Sequence, residues 1–441
     1  MKIRIRRWSR IPTPCIGAML ALGWICSGIA GAADEGSVKA FVGARIIDGT
    51  GKPPVEKATL VIRNDRVEAV GTKVKVPAGA QRINAAGMTI IPGIVNAHGH
   101  VSSRDNLGKY LRDGITTIWS LGDTCPDARR RTEGCKSEFE LREETRRAEP
   151  GTLPRLYVAG PVLSGTTPES ARKAVDELIP NKPDVVKIRE DDYLGTRPKM
   201  SPDVYGALID EAHKKGYRVA AHIVLLADAK GVLKAGADFI AHSVRDVPVD
   251  DEFIQLMKQR DIYYCPTLTR EISTYVYAET PALFKDPFFL KEADMADIKK
   301  LEAPGFQEKI RNDPDARWYK EHFEVAIQNL KKVSDAGIKI AMGTDSGAGQ
   351  GRFQGYFEHL ELEYEVKAGL TPMQALVSAT SGAAKAMGIS DQVGTLEAGK
   401  FADFVVLSAN PLDDILNTRK IESVWKAGIR VAARNSSSSP K

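Results

Sequence analysis

Four of the seven histidines lie near the ends of predicted strands, where α/β enzymes place their reactive groups. They are His98, His100, His222 and His242. His98 and His100 are two residues apart on one strand, so their side chains share a face and can converge on one ion. Such a pair also occurs at ordinary polar strand ends. However, Asp345 ends the last predicted strand, and its carboxylate can bind the same ion, so the set predicts a metal site.

A lysine ends the fourth predicted strand, in the sequence PDVVKIRED. If Lys187 points outward into a solvated loop, it needs no explanation. If it points into a barrel mouth, an unpaired ammonium would be costly to bury. Carboxylation of its amine would give a carbamate, whose two oxygens can bridge two divalent ions, whereas an ammonium cannot be a ligand.

These residues are carried by short apolar strands that alternate with amphipathic helices, a pattern typical of α/β proteins with parallel strands. Eight alternations predict a closed (β/α)8 TIM barrel over residues 92–385, with a helical insertion at 270–337 that could cap its mouth. No Gly-x-Gly-x-x-Gly follows the first strand, so a dinucleotide site is not indicated. The predicted strands are 93–101, 115–123, 155–163, 184–190, 218–224, 238–244, 261–269 and 338–347.

Both ends of the mature chain have a different sequence pattern, which predicts short strands separated by turns. Residues 33–91 and 386–435 are therefore predicted to form one small composite β-sandwich. Residues 1–32 predict a signal peptide, because five basic side chains precede an apolar run that ends in small residues. The run is shorter than the roughly 20 apolar residues of a membrane-spanning helix, which disfavours a retained anchor.

The composition of the mature chain supports export and a small-molecule substrate. Removing the five basic residues of the leader from the 62 in the chain leaves 57 basic against 57 acidic residues. This near-neutral balance disfavours nucleic acid as a partner. In the periplasm or outside the cell, Cys125 and Cys135 could form a disulfide. The sequence allows a homo-oligomer but fixes no symmetry.

With the lead-in IIPGIVNAHGH and the trailing GTLEAGKFADFVVL, the chain resembles the amidohydrolase superfamily over nearly all of its mature length. It is most similar to the dipeptidase-like and imidazolonepropionase-related members. The resemblance implies a binuclear centre in which His98, His100 and Asp345 bind one ion. His222 and His242 would bind the other, and a carboxylated Lys187 would bridge both. Two divalent ions are expected; Zn²⁺ is the default and manganese the alternative.

This centre implies hydrolysis of a C–N amide or peptide bond in a dipeptide or an N-acyl amino acid. A metal-bridged hydroxide would attack, with Asp345 as the acid/base. A mononuclear deaminase is an alternative that would not require Lys187. A lactone or phosphotriester hydrolase and a non-catalytic binding protein also stay open. Dipeptidase-like relatives often carry Gly-Gly-His after the third strand, whereas this chain has SGTTPE at 164–169, so the peptide specificity is undetermined.

Residues that would contact the substrate are less clearly marked. Arg245 follows His242 by three residues and could hold a substrate carboxylate. It could equally pair with Asp246 or Asp250. Two further residues are predicted near the pocket, and they are Tyr193 and His359.

Overall fold

The computed structural model describes residues 37–125 and 134–433. The predicted signal peptide and the polar C-terminal tail lie outside the described residues. Within the described ranges, no helix is both long and apolar enough to cross a membrane.

Strands form both ends of the described chain and alternate with helices in between. The strands are β1 Val38–Ile46, β2 Val55–Arg63, β3 Arg66–Gly71, β4 Gln81–Asn84, β5 Thr89–Pro92, β6 Ile94–Gly99, β7 Ile115–Ser120, β8 Arg155–Val158, β9 Val186–Arg189, β10 Val219–His222, β11 Phe239–Ala241, β12 Tyr263–Cys265, β13 Phe404–Leu407, β14 Ile421–Lys426 and β15 Ile429–Arg430.

The two ends of the chain meet in one sheet with the strand order β15-β14-β13-β5-β1-β2-β3, and β4 also pairs with β1. The link between the ends is the antiparallel pair β5–β13. Aromatic side chains from both ends fill its core, with the Phe41 ring 5.0 Å from the rings of both Phe404 and Trp425. The prediction that both ends build one small β-domain is therefore confirmed.

The middle of the chain forms the barrel. Strands β6, β7 and β8 are parallel neighbours, and β9 to β12 form a second parallel run. Backbone hydrogen bonds join the two runs, since Leu163 N donates to Lys187 O at 2.8 Å. Strands β6, β7, β10 and β11 are buried on both faces, which explains why they contain few charged residues.

The eighth barrel position is an extended segment with isolated bridges at Ile340 and Ser346. Ala341 N donates to Tyr264 O at 3.0 Å on one side, and Ala97 N donates to Met342 O at 2.8 Å on the other. These bonds close the barrel, and the predicted (β/α)8 fold is confirmed. Gly343 allows the close approach, because a Cβ there would lie 2.6 Å from the Cβ of His98.

Helices surround the barrel and follow its strands. A capped start is clear at Pro168–Leu178, where Thr167 and Ser170 form a capping box and proline occupies the first turn. The helices are α1 Arg104–Arg112, α2 Glu138–Arg147, α3 Pro168–Leu178, α4 Pro202–Lys214, α5 Leu226–Ala235, α6 Asp251–Gln259, α7 Leu268–Ile272, α8 Pro287–Leu290, α9 Met295–Leu301, α10 Pro304–Asn312, α11 Pro314–Asp335, α12 Tyr356–Lys367, α13 Pro372–Val377 and α14 Ala383–Met387.

The long connection after β12 contains helices α8 to α11, in the region predicted as a helical insertion. Its short helices pack around buried aromatic rings such as Tyr277, Phe284 and Phe289. Tyr319 of α11 accepts a hydrogen bond from Arg270 at 3.1 Å. The insertion therefore contributes side chains at the barrel mouth.

The structure joins Cys125 and Cys135 by a disulfide, a bond that the sequence allows but does not fix. Cys265, at the end of β12, is buried and free.

Candidate metal centre

The six predicted ligands line one cavity of about 340 Å³ at the carboxyl ends of the barrel strands. Each is at most 7% exposed. They are His98, His100, Lys187, His222, His242 and Asp345. The structure therefore brings together side chains from distant parts of the sequence. His98 and Asp345 are 247 positions apart.

His98, His100 and Asp345 lie close together at one end of the cavity. Oδ1 of Asp345 lies 2.8 Å from Nε2 of His100 and 3.3 Å from Nε2 of His98. The ligand atoms of these three residues all lie within 4.8 Å of one another. A single divalent ion can therefore be reached by two imidazoles and one carboxylate.

The other two histidines complete a continuous cluster of rings. The His242 ring centroid is 4.6 Å from that of His98 and 4.3 Å from that of His222. His242 Nδ1 contacts Thr267 Oγ1 at 2.8 Å, and His100 Nδ1 contacts Gly122 O at 2.7 Å. These contacts leave Nε2 of His100 and His242 as the candidate ligand atoms, because the partner of one ring nitrogen determines the role of the other.

His222 is oriented the other way. Its Nε2 lies 3.1 Å from Oδ2 of Asp191, which follows β9, so Nδ1 is left as the ligand atom. Asp191 is itself fixed because its Oδ1 accepts from the backbone N of Tyr193 at 2.8 Å.

Burial controls protonation in the cluster. It holds the pKa values of His98, His222 and His242 well below the ordinary histidine value. Neutral imidazoles keep the lone pair that a metal ion requires. Burial alone would raise the pKa of Asp345, but the Arg352 guanidinium and His100 outweigh it, and the pKa lies well below the usual aspartate range. Asp345 is therefore an ionised carboxylate.

Lys187 is the most unusual member of the set. Its Nζ is buried and has no hydrogen-bond partner. Burial lowers the pKa of this amine to about 7, although Asp345 opposes the shift. A neutral amine is the form that can react with carbon dioxide, and the orphaned position is one that a carbamate could occupy as a ligand. The donor set as a whole therefore fits divalent ions.

The amidohydrolase family profile matches residues 89–431, which is most of the chain. The chain belongs to the amidohydrolase family. It is accordingly an enzyme, a hydrolase that acts on carbon–nitrogen bonds in small molecules, and the resemblance read from the sequence is confirmed.

Individual relatives are distant but extensive. Ochratoxinase of Aspergillus niger is 24% identical over 460 aligned residues, which cover 90% of this chain and 87% of that protein. The A. niger ochratoxinase crystal structure has a TM-score of 0.69, with 90% of this chain and 96% of that chain covered at 20% identity. A Xaa-Pro dipeptidase structure with bound methionine gives a TM-score of 0.71 at 20% identity, covering 89% and 99%.

Two of the predicted ligands have left-handed backbone conformations, His242 with φ 79° and Asp345 with φ 57°. Such conformations are unfavourable for residues with a Cβ and persist where the surroundings fix them. Here Asp345 N donates to His98 O at 2.7 Å, and His242 N donates to Cys265 O at 2.9 Å.

A buried carboxylate supports the Asp345 end of the cavity. Glu358 of α12 accepts hydrogen bonds from Asn96 Nδ2 at 2.7 Å and from Thr344 Oγ1 and Ser346 Oγ at 2.6 Å each. Asn96 Oδ1 in turn accepts from His98 N at 2.8 Å. Glu358 therefore ties the strand of the histidine pair to the residues on both sides of Asp345.

The same helix supports a second strand end. Glu361 accepts from the backbone N of Leu268 at 2.6 Å and of Thr269 at 2.7 Å. These bonds fix the turn after β12 that contains Thr267, the partner of His242. Helix α12 thus contributes buried glutamates one turn apart, and each orders a different part of the metal centre.

The three predicted substrate residues lie in different surroundings. Tyr193 lines the metal cavity, and its hydroxyl accepts from Arg189 at 2.7 Å. Arg245 is buried, ion-paired with Glu271 at 3.0 Å rather than with Asp246 or Asp250, and does not line the cavity.

His359 also lies away from the cavity. Its Nε2 contacts Asp113 O at 2.8 Å, and its Nδ1 contacts Thr418 Oγ1 at 3.0 Å. Burial lowers its pKa to about 4. Both ring nitrogens are therefore used in packing α12 against its neighbours.

Sequence reasoning did not single out four residues that line the cavity or contact its ligands. Asp191 stands in a charged run, REDD, that resembles a solvated loop. Arg352 ion-pairs with Asp345, and Arg189 and Arg270 line the cavity. Only the position of Arg189 near the end of a predicted strand, and of Asp191 directly after that strand, gave a signal.

A larger cavity of about 650 Å³ lies elsewhere, between the ends of α1 and α8 and the last described residues. No histidine lines it, and the residues of the cluster do not reach it. The smaller cavity is therefore the candidate metal centre.

Proposed function

We propose that this amidohydrolase is a binuclear metal-dependent enzyme that cleaves the amide bond of a dipeptide or an N-acyl amino acid. The observation that carries the proposal is the buried, unpartnered Nζ of Lys187 among four histidines and Asp345. A mononuclear centre would give this lysine no task. A carbamate on Lys187 would give the buried nitrogen a role, because its oxygens could bind divalent ions.

His98, His100 and Asp345 would hold one ion, His222 and His242 the other, and carboxylated Lys187 both. When bound, divalent ions supply an acidified water and polarise the scissile carbonyl; Zn²⁺ suits these ligands. Asp345 accepts the proton of the attacking water and transfers it to the departing amine. Its low pKa makes it a weak base, so position rather than basicity supports this role.

The names of similar proteins support a carbon–nitrogen substrate. Among them are a Xaa-Pro dipeptidase, by structure, and an enamidase of Eubacterium barkeri that is 27% identical over 220 residues. That match covers 45% of this chain and 54% of the enamidase.

We also propose that the mature enzyme acts in the periplasm or outside the cell, after removal of residues 1–32. Support comes from the leader composition and from the Cys125–Cys135 disulfide, a bond that persists in oxidising compartments.

The proposal is tested with the mature protein loaded with Zn²⁺ or Mn²⁺ in bicarbonate buffer. Dipeptides, N-acetyl amino acids, lactones and phosphotriesters are offered, and products are measured by mass spectrometry. We expect amide cleavage that is lost in Asp345→Asn and retained in the exposed-residue variant Asp335→Asn. Turnover restricted to lactones or phosphotriesters, with no amide cleaved, would contradict the proposal.

A further inference from the structure

Glu138 is a fully buried glutamate at the first residue of helix α2, and it does not line the metal cavity. Its Oε2 accepts a hydrogen bond from Gly160 N at 2.8 Å, and its Oε1 accepts one from Ser120 Oγ. A further backbone hydrogen bond comes from Gly122. Because burial of a carboxyl group is unfavourable without such bonds, the acid and its donors are held in one arrangement.

These bonds connect the ends of two neighbouring barrel strands. Ser120 is the last residue of β7, and Gly160 lies two residues after β8. Asp123 N donates to Gly160 O at 2.9 Å. Glu138 therefore holds Gly122 from both sides, through Ser120 before it and through Gly160 and Asp123 after it.

Gly122 is the residue that orients His100. Its carbonyl oxygen contacts His100 Nδ1 at 2.7 Å, which leaves Nε2 of that ring free to bind an ion. The backbone passes close to the ring, since a Cβ at Gly122 would lie 3.2 Å from His100 Cε1. A displaced Gly122 carbonyl would therefore release the imidazole from its orientation.

The histidines on the other side of the centre have partners of their own. Asp191 contacts His222, and Thr267 contacts His242. The effect of Glu138 should therefore fall on one side of the centre, where His100 lies.

A disulfide joins the two chain segments that meet at Glu138. It links Cys125, three residues after Gly122, to Cys135, three residues before Glu138. In addition, Lys136 N donates to Ser102 O at 2.8 Å, two residues after His100. The start of α2 is thus attached beside His100 by bonds that do not involve the Glu138 side chain, and we expect it to stay in place when that side chain is shortened.

We propose that Glu138 is a positioning residue for His100, on which it acts through Gly122. It thereby sets the affinity for the ion that His98, His100 and Asp345 would hold. This inference rests on the proposed metal-dependent function. Glu138 itself contacts neither an ion nor a substrate, because its effect is transmitted through the backbone between β7 and β8.

The first test is titration of the metal-free mature protein with Co²⁺, followed by calorimetry and by the visible absorption of the bound ion. Glu138→Ala should lower the affinity of one site about 10- to 100-fold, as loss of an orienting group does, and leave the other site unchanged. Glu143→Ala is the matched control, because Glu143 is an exposed residue of the same helix that pairs with Arg146. This control should keep both affinities.

A conservative variant separates positioning from a general loss of structure. Burial raises the pKa of the Glu138 carboxyl well above its usual range, so glutamine resembles its neutral form. The amide oxygen can accept from the backbone N–H groups, and the NH₂ group can donate to Ser120 Oγ. Glu138→Gln should therefore restore most of the affinity that Glu138→Ala loses. If Glu138→Ala does not fold, Glu138→Asp takes its place, because the shorter side chain withdraws the carboxyl from Gly160.

The second test needs neither metal nor substrate. A carbonyl oxygen can only accept, so the contact with Gly122 predicts a proton on Nδ1 of His100. In metal-free protein labelled with ¹⁵N-histidine, this proton should give an NMR signal that is missing in His100→Ala. The signal should be lost through exchange with solvent in Glu138→Ala and retained in Glu138→Gln and Glu143→Ala.

The two tests distinguish failure of the inference from failure of the proposed function. If the protein binds no ion or cleaves no amide, the proposed function fails, and the His100 signal alone decides on Glu138. An unchanged signal and unchanged Co²⁺ affinities in Glu138→Ala would overturn the inference. Equal weakening of both sites, or the same losses in Glu143→Ala, would also overturn it.

Discussion

The carboxylate of Asp191 lies 3.1 Å from Nε2 of His222, and this contact leaves Nδ1 as the ring nitrogen that can bind an ion. His100 and His242 are instead held through Nδ1 by neutral groups, Gly122 O for His100 and Thr267 Oγ1 for His242. His222 thus depends on a charged neighbour, and this contact leaves its Nδ1 as the candidate ligand atom.

Asp191→Ala should lower the affinity for the ion that His222 and His242 would hold. Loss of such an orienting carboxylate lowers metal affinity about 10- to 100-fold. Titration of the metal-free protein should show one weakened site and one unchanged site. Asp192→Ala is the matched control, because the Asp192 carboxylate accepts from Gly195 N in the same loop rather than contacting a histidine. Equal weakening in both variants, or none in either, would contradict the assigned role.

Glu358→Gln should destabilise the metal-free protein. The carboxylate accepts from Asn96, Thr344, Ser346 and Gly355, and an amide cannot accept from all four. We expect the free energy of unfolding to fall by about 3 kcal/mol, the scale of buried hydrogen bonds to a charged group. Denaturant unfolding measures this difference.

Glu363→Gln on the same helix is the control for Glu358. Glu363 pairs with Arg419 and Lys367 near the surface, and such pairs contribute about 0–1 kcal/mol. A similar loss of stability in both variants would argue against a special role for Glu358.

Arg352→Met should change the pH dependence of catalysis. Arg352 lowers the pKa of Asp345, so its removal raises that pKa. Asp345 must be ionised to act, and it would then become protonated at a higher pH. The acidic limb of the kcat/KM profile should move upward by about one pH unit. Arg352→Lys keeps the positive charge and should keep most of the original profile; an unmoved limb in Arg352→Met would contradict this reading.

Much of the fold could be predicted because it depends on local patterns. Fully buried parallel strands read as apolar runs, and the period of two places His98 and His100 on one face. The closure of the barrel then brings Asp345 beside them. In the irregular eighth strand Gly343 packs against His98, and no pattern in the sequence predicts that detail.

The substrate side of the site could not be predicted in the same way. Left-handed φ angles at His242, Tyr193 and Leu194 turn the chain just after the strands, so spacing no longer predicts direction. Arg245 therefore pairs with Glu271 instead of following His242 into the cavity. Arg270 reaches the mouth because Tyr319, 49 residues later, holds it there.

The most direct test of the binuclear proposal is the metal content of the mature protein, measured by elemental analysis beside Lys187→Ala. Lys173→Ala, a variant of an exposed lysine on α3, is the control. A two-ion centre predicts about two ions per chain in the parent and control and a marked loss in Lys187→Ala. About one ion per chain in all three proteins would contradict a bridging lysine and favour a mononuclear centre.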